Sequence, residues 1–118
     1  MGKVQTLDTQ KVDPYVPEEF GGAVAIRQLL DRSNGSNQIQ FWHSVVDQGF
    51  EAVAPVREDQ DEVAYVMTGE AEVESQGDVH RLGPGSVLFI PAGTPYTYKV
   101  TKGPHEMIAV ISPPDPIE

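Results

Sequence analysis

The chain contains no cysteine, which excludes disulfides, thiolate nucleophiles and Cys-ligated zinc or iron–sulfur sites and leaves the cytoplasm as the default compartment. Basic residues are scarce: 8 Lys and Arg stand against 18 Asp and Glu, a formal charge of -10. Such a field repels nucleic-acid phosphates and anionic lipid, so neither is an expected partner. No segment approaches the ~18 apolar residues of a membrane span, and residues 1–20 lack the apolar run of a secretory signal. A soluble protein is expected. Histidine is rare too, with three in 118 residues, a length that allows one domain around one core.

Turn formers are plentiful, with 11 glycines and 10 prolines scattered between short apolar runs, and that spacing signals an all-β chain. Strands are expected at Asn37–Val46, Val63–Met67, Glu70–Glu74, Val79–Leu82, Ser86–Ile90, Tyr96–Val100 and Met107–Ile111, separated by "SQGD", "GPG", "PAGTP" and "TKGP". Many short strands with frequent turns make a sandwich or barrel. "AVAIRQLLDRSNG" has Ile26, Leu29 and Leu30 at a helix-compatible spacing, but its Asn34-Gly35 turn favours an early strand. Asn34, Gly35 and Ser36 also spell a glycosylation acceptor, read here as that turn. Residues 1–20, with Pro14 and Pro17, form an extended arm.

Two spaced patterns carry a family resemblance. Gly49, Glu62 and Gly69 fit a signature of glycine, five residues, His-x-His, a gap, glutamate, six residues and glycine. Its histidine positions fall on Pro55 and Arg57. Gly85, Pro91 and Gly93 fit a second signature whose histidine position falls on Tyr96. With "DEVAYVMTGEAEV", "GPGSVLFIPAGTPYTY" and "IAVISPPD", the chain resembles the cupins over roughly residues 38–114. The resemblance implies an all-β fold, an antiparallel jelly-roll barrel or double-stranded β-helix, as a single domain spanning 1–118. It also implies a homodimer with a ligand pocket at the barrel mouth. A fold used for many chemistries does not choose one.

Strand alternation proposes what lines that mouth. The resemblance implies that Arg57 and Glu62 keep the inward orientation of the positions they replace or match; alternation then sends Ala64 and Val66 inward with Glu62, and Val63, Tyr65 and Met67 outward. Tyr96, Tyr98 and Val100 share the barrel side, and His43 is a further lining candidate, on the parity of Phe41 and Val45. A carboxylate inside a barrel needs a counter-charge, and Arg57 can pair with Glu62 in place of a metal, or grip a substrate anion instead. The candidate catalytic residues are thus Glu62, Tyr96 and His43, with Arg57, Tyr98 and His105 binding substrate. No metal or other cofactor is expected; a displaced metal site would draw on Glu62, His43 and His105. His80 faces solvent, Glu58, Asp59 and Asp61 are solvated loop charge without calcium-loop spacing, and Trp42 is expected in a sheet or dimer interface. These assignments fit a metal-independent isomerase, dehydratase or lyase acting on a carboxylate- or carbonyl-containing metabolite. The alternatives are a ligand-binding or regulatory module without turnover and a metal-dependent, dioxygenase-like enzyme.

Overall fold

The early strand, the punctuated sheet and the inward parity of Glu62 all recur in the computed structural model, which describes residues 2–116. The strands are β1 (Val24–Leu30), β2 (Gln40–Val46), β3 (Glu51–Val53), β4 (Asp61–Ser75), β5 (Asp78–Leu82), β6 (Val87–Ile90) and β7 (Thr97–Ser112). All pairings are antiparallel. The ambiguous segment after Ala23 is strand β1, bonded to β2 from Val24 opposite Val46 to Leu30 opposite Phe41. Among the described residues no helix is long and apolar enough to cross a membrane.

Two pairs of expected strands are fused. β4 runs through Gly69 and β7 runs through Gly103 and Pro104, and the two stay paired from Asp61–Ser112 to Glu74–Thr97 with register shifts between Val66 and Ala71. A glycine inside a strand marks a bulge as readily as a break. Here the bulge bends the ladder, so each long strand serves two layers. One layer runs β1-β2-β7-β4-β6, using the first half of β4; the other runs β3-β7-β4-β5, using its second half. This is the jelly-roll barrel.

Gly69 is where the bend is enforced. Its φ is +77°, and a Cβ there would lie 2.6 Å from Lys102 O and 2.7 Å from both Pro104 O and His105 Cα. The remaining signature glycines, Gly49, Gly85 and Gly93, also have positive φ, so the signature spacing records where the chain must turn. Between the layers, Val66, Ala71, Val73 and Leu82 form one apolar cluster, packed by Leu88, Tyr96 and Tyr98. Val24, Val46 and Val100 form another, near Phe50. Upstream, Tyr15 exchanges backbone hydrogen bonds with Ile26 at 2.6 and 2.8 Å, and Arg27 Nε donates to Val12 O at 2.9 Å. The N-terminal arm is thereby tied to β1 at Val12 and Tyr15.

Candidate functional site

The two signature segments are hydrogen-bonded to each other. Ala54 N donates to Tyr96 O at 3.0 Å and Gly93 N to Arg57 O at 2.8 Å, while Ala92 N donates to the Asp61 carboxylate at 2.8 Å. Asp61 is therefore a structural acceptor at the start of β4, not free loop charge. These bonds close one end of the barrel around a cavity of about 860 Å³. Phe20, Val24, Val46 and Phe50 supply an apolar wall, and Arg57, Glu62, Tyr96 and Tyr98 also line it, Glu62 and Tyr98 from β4 and β7, and Arg57 and Tyr96 from the segments that precede those strands.

Glu62 sits in an inward row between Ile111 of β7 and Ile90 of β6. It is 7 % exposed, and burial among these apolar neighbours raises its pKa above the ordinary carboxylate value, with Arg57 pulling the other way. Arg57 Nε is 3.6 Å from Glu62 Oε1, longer than a charge-assisted hydrogen bond. Most of the guanidinium's bonding goes elsewhere. Nη1 donates to Gln60 Oε1 at 3.0 Å and to Asp115 Oδ1 at 3.3 Å, and the group stacks over Trp42 at 5.8 Å from the ring centroid.

Asp115 belongs to a strap that follows β7 across the cavity. Pro113, Pro114, Asp115 and Pro116 all line the space. Gln60 Nε2 holds Pro113 O at 2.9 Å and Asp115 Oδ1 at 2.8 Å, Arg32 donates to Pro114 O and Asp115 O at 3.0 Å each, and Gln40 Oε1 accepts from Asp115 N at 2.9 Å. Arg32, Gln40, Gln60 and Asp115 lie far apart in sequence and match no signature, so only the fold could collect them.

Burial and the neighbouring Glu62 charge raise the Tyr96 hydroxyl to about 12, partly offset by Arg57. Tyr96 therefore keeps its proton as a donor across the ordinary pH range. The Tyr98 hydroxyl is raised by burial and by the nearby Tyr96 and Glu62, and it is bonded to His105 Nε2 at 2.5 Å.

The histidines fall elsewhere than strand parity suggested. His43, expected in the mouth, lies on the outer face in a row with Ile108, Tyr65 and Val87, its Nε2 2.7 Å from Glu106 Oε1. The even-numbered residues of β2, Trp42, Ser44 and Val46, face the cavity. Both faces of β2 are apolar, so parity there fits either orientation, and the bulky Phe41 and Val45 point to the wrong one. Trp42 is thus a cavity wall and stacking partner for Arg57, correcting its expected place at an interface. Ser44, 3 % exposed, has no hydrogen-bond partner for its hydroxyl. His105 is fully buried and reaches the cavity only through Tyr98. His80 is exposed in β5. Glu62, His43 and His105 do not converge, and among the described residues no group of three His, Cys, Asp or Glu is arranged to hold a metal. The donor set does not fit one.

Residues 42–111 match the cupin-domain family model. The chain is a cupin. No curated protein matches its sequence. In fold, this cupin is similar to KdgF from Halomonas sp., with a TM-score of 0.82 and 19% identity over 96% of both chains. It is also similar to the polyketide cyclase RemF from Streptomyces resistomycificus, with a TM-score of 0.78 and 22% identity over 94% of this chain and 80% of that one. Ectoine synthase from P. lautus gives 0.80 and 17%, covering 95% of this chain and 80% of the other. At these identities the likeness concerns fold alone.

Proposed function

We propose that this cupin is a metal-independent acid–base enzyme of the isomerase, dehydratase or lyase type, acting on a carbonyl-containing small molecule in the barrel cavity. The observation that carries this reading is Glu62, a carboxylate 7 % exposed in an apolar row with its pKa raised by burial, facing the same cavity as Tyr96. A raised carboxylate is a stronger base than one in water, and a protonated phenol is a donor for a developing oxyanion. Glu62 takes a proton from the carbon next to the carbonyl, the C–H electron pair moves to form the enolate, and Tyr96 donates a hydrogen bond to its oxygen. Returning the proton to another carbon isomerises the substrate; returning it to a departing hydroxyl releases water.

Pro55 has no donor, Arg57 is a cation, and Tyr96 stays protonated, so the signature positions serve this chemistry better than metal ligation. Arg57 is offset by Asp115 and Glu62, which favours a neutral carbonyl over a free carboxylate; its part is to stand beside Glu62 as a counter-charge and to stack on Trp42. The structural relatives called a polyketide cyclase and an ectoine synthase are consistent with small-molecule work on this scaffold. The enzyme is a homodimer in this reading, joined through the outward rows of β4 and β6, where Val63, Tyr65, Met67, Val87 and Phe89 are exposed.

The test is deuterium uptake from heavy water into hydroxyacetone and 2-tetralone, followed by NMR. Exchange above the buffer rate is expected with the wild type. Glu62→Gln should lower it roughly 10²–10⁴-fold and Tyr96→Phe roughly 10²-fold. No enzyme-dependent exchange on either ketone, with ligand-dependent melting retained, would make the protein a binding module instead.

A further inference from the structure

Two polar groups of the cavity wall, Ser44 and Tyr98, have no part in the acid–base reading. Met107 of β7 stands opposite Ser44 of β2, and its sulfur is 3.6 Å from the Tyr98 hydroxyl, so Ser44 and Tyr98 flank one side chain at the cavity wall. Ser44 has a buried hydroxyl with no partner, an arrangement that costs free energy unless something else fills it. Tyr98 has the opposite condition: its proton is already committed.

The hydrogen bonds around His105 settle which way that proton points. Nδ1 is 3.1 Å from Thr68 O, and a carbonyl only accepts, so Nδ1 carries the hydrogen. The neutral ring then offers a lone pair at Nε2, and the Tyr98 hydroxyl, 2.5 Å away, donates to it. The Met107 sulfur, a weaker acceptor at longer range, cannot compete for that proton. Burial favours the neutral imidazole. Gly69 permits the arrangement, since a Cβ there would strike His105 Cα.

We infer that the cavity wall around Met107 is a receptor for a ligand hydroxyl: Tyr98, its own proton held by His105, presents a lone pair, and Ser44, across Met107, offers its unused hydroxyl. His105 is then a positioning residue. It never meets the ligand but fixes the polarity of the group that does. The ligand class narrows accordingly to neutral, largely apolar molecules that carry a hydroxyl, which can donate to Tyr98 and accept from Ser44 at once, whereas an ether or ketone oxygen can only accept from Ser44 and leaves the Tyr98 lone pair unmet. The inference rests on the cavity being the ligand site and is independent of whether Glu62 turns the ligand over.

Two measurements on the full chain test it. Long-range ¹H–¹⁵N correlation of the imidazoles should show His105 as the Nδ1–H tautomer, with an Nε2 signal that moves on Tyr98→Phe; an Nε2–H tautomer overturns the inference. Calorimetric titration with 2-naphthol and 2-methoxynaphthalene should show about a tenfold preference for the naphthol, one hydrogen bond's worth. Tyr98→Phe and His105→Ala should reduce that preference to within about twofold, whereas His105→Gln should keep it, because its amide can donate to Thr68 and accept from Tyr98. Equal affinity in the wild type, binding of neither probe, or a preference that survives Tyr98→Phe overturns the proposal. In the wild type, ketone exchange without the naphthol preference counts against this inference alone; the preference without ketone exchange counts against the catalytic reading alone.

Discussion

Glu62 and Tyr96 differ in kind although they share a cavity. Burial raises both, which makes the carboxylate a better base and confines the phenol to donation. Catalysis should therefore switch on as pH rises through the Glu62 value, somewhere above 4.5, and should not decline until the strongly alkaline range, where Tyr96 ionises at about 12. A kcat/KM profile with its rising limb at an unshifted carboxylate value would contradict this. The same shift has a stability consequence. The folded protein retains a proton on Glu62 that the unfolded chain releases, so the Glu62 contribution is fully present below 4.5 and is lost as pH rises through the folded value. Glu62→Gln should thus gain stability relative to the wild type as pH rises across that window and then level off, as read by urea unfolding at several pH values. His105, whose pKa is lowered, loses stability in the opposite sense as pH falls below 6.5, but it is present in both proteins and cancels from the difference.

At the scale of the element, the bend in β4 and β7 decides whether a site exists. Without it the first half of β4, which carries Glu62, and the first half of β7, which carries Tyr98, would lie in one flat ladder instead of facing each other across a cavity. Gly69 is the pivot. Gly69→Ala should cost roughly 2 kcal/mol or more, combining a strained φ with backbone overlap, and should disturb the Tyr98–His105 bond. Gly49→Ala is the informative control: its φ is +89° but nothing lies within 4 Å of the added Cβ, so only the strain of about 1 kcal/mol applies. Similar midpoints for the two variants in urea would mean that the close approach at Gly69 is relieved without cost. This bend was only partly legible. The glycine was evident in the sequence, but a strand break and a bulge leave the same trace there, and pairing with β7 resolves which one occurs.

Across the whole molecule, the outer face carries two rows that span four strands: Phe41, Val110, Val63 and Phe89, then His43, Ile108, Tyr65 and Val87. Of these rows Val63, Tyr65, Val87 and Phe89 are exposed, and an exposed apolar patch of that kind suits the proposed association. Tyr65→Glu with Phe89→Glu should convert the proposed homodimer to monomers in light scattering without altering ketone exchange; a wild-type protein that is monomeric at micromolar concentration would contradict the assignment. The sequence by itself determined the all-β class, the family, the early strand, and the inward row of Glu62, Ala64 and Val66, because turn residues and alternation act over a few residues and leave local traces. Arg57, Glu62 and Tyr96 were legible as cavity residues from their places in the spaced signatures, and Tyr98 from alternation after Tyr96. Tertiary structure alone decided the orientation of β2, whose two apolar faces give alternation nothing to choose between, and so exchanged His43 for Trp42 and Ser44 in the cavity. It also brought Asp115 to Arg57 across a separation of 58 residues and His105 to Tyr98 across the bend, because the partner of a polar side chain is set by which strands lie side by side, and no local pattern encodes that.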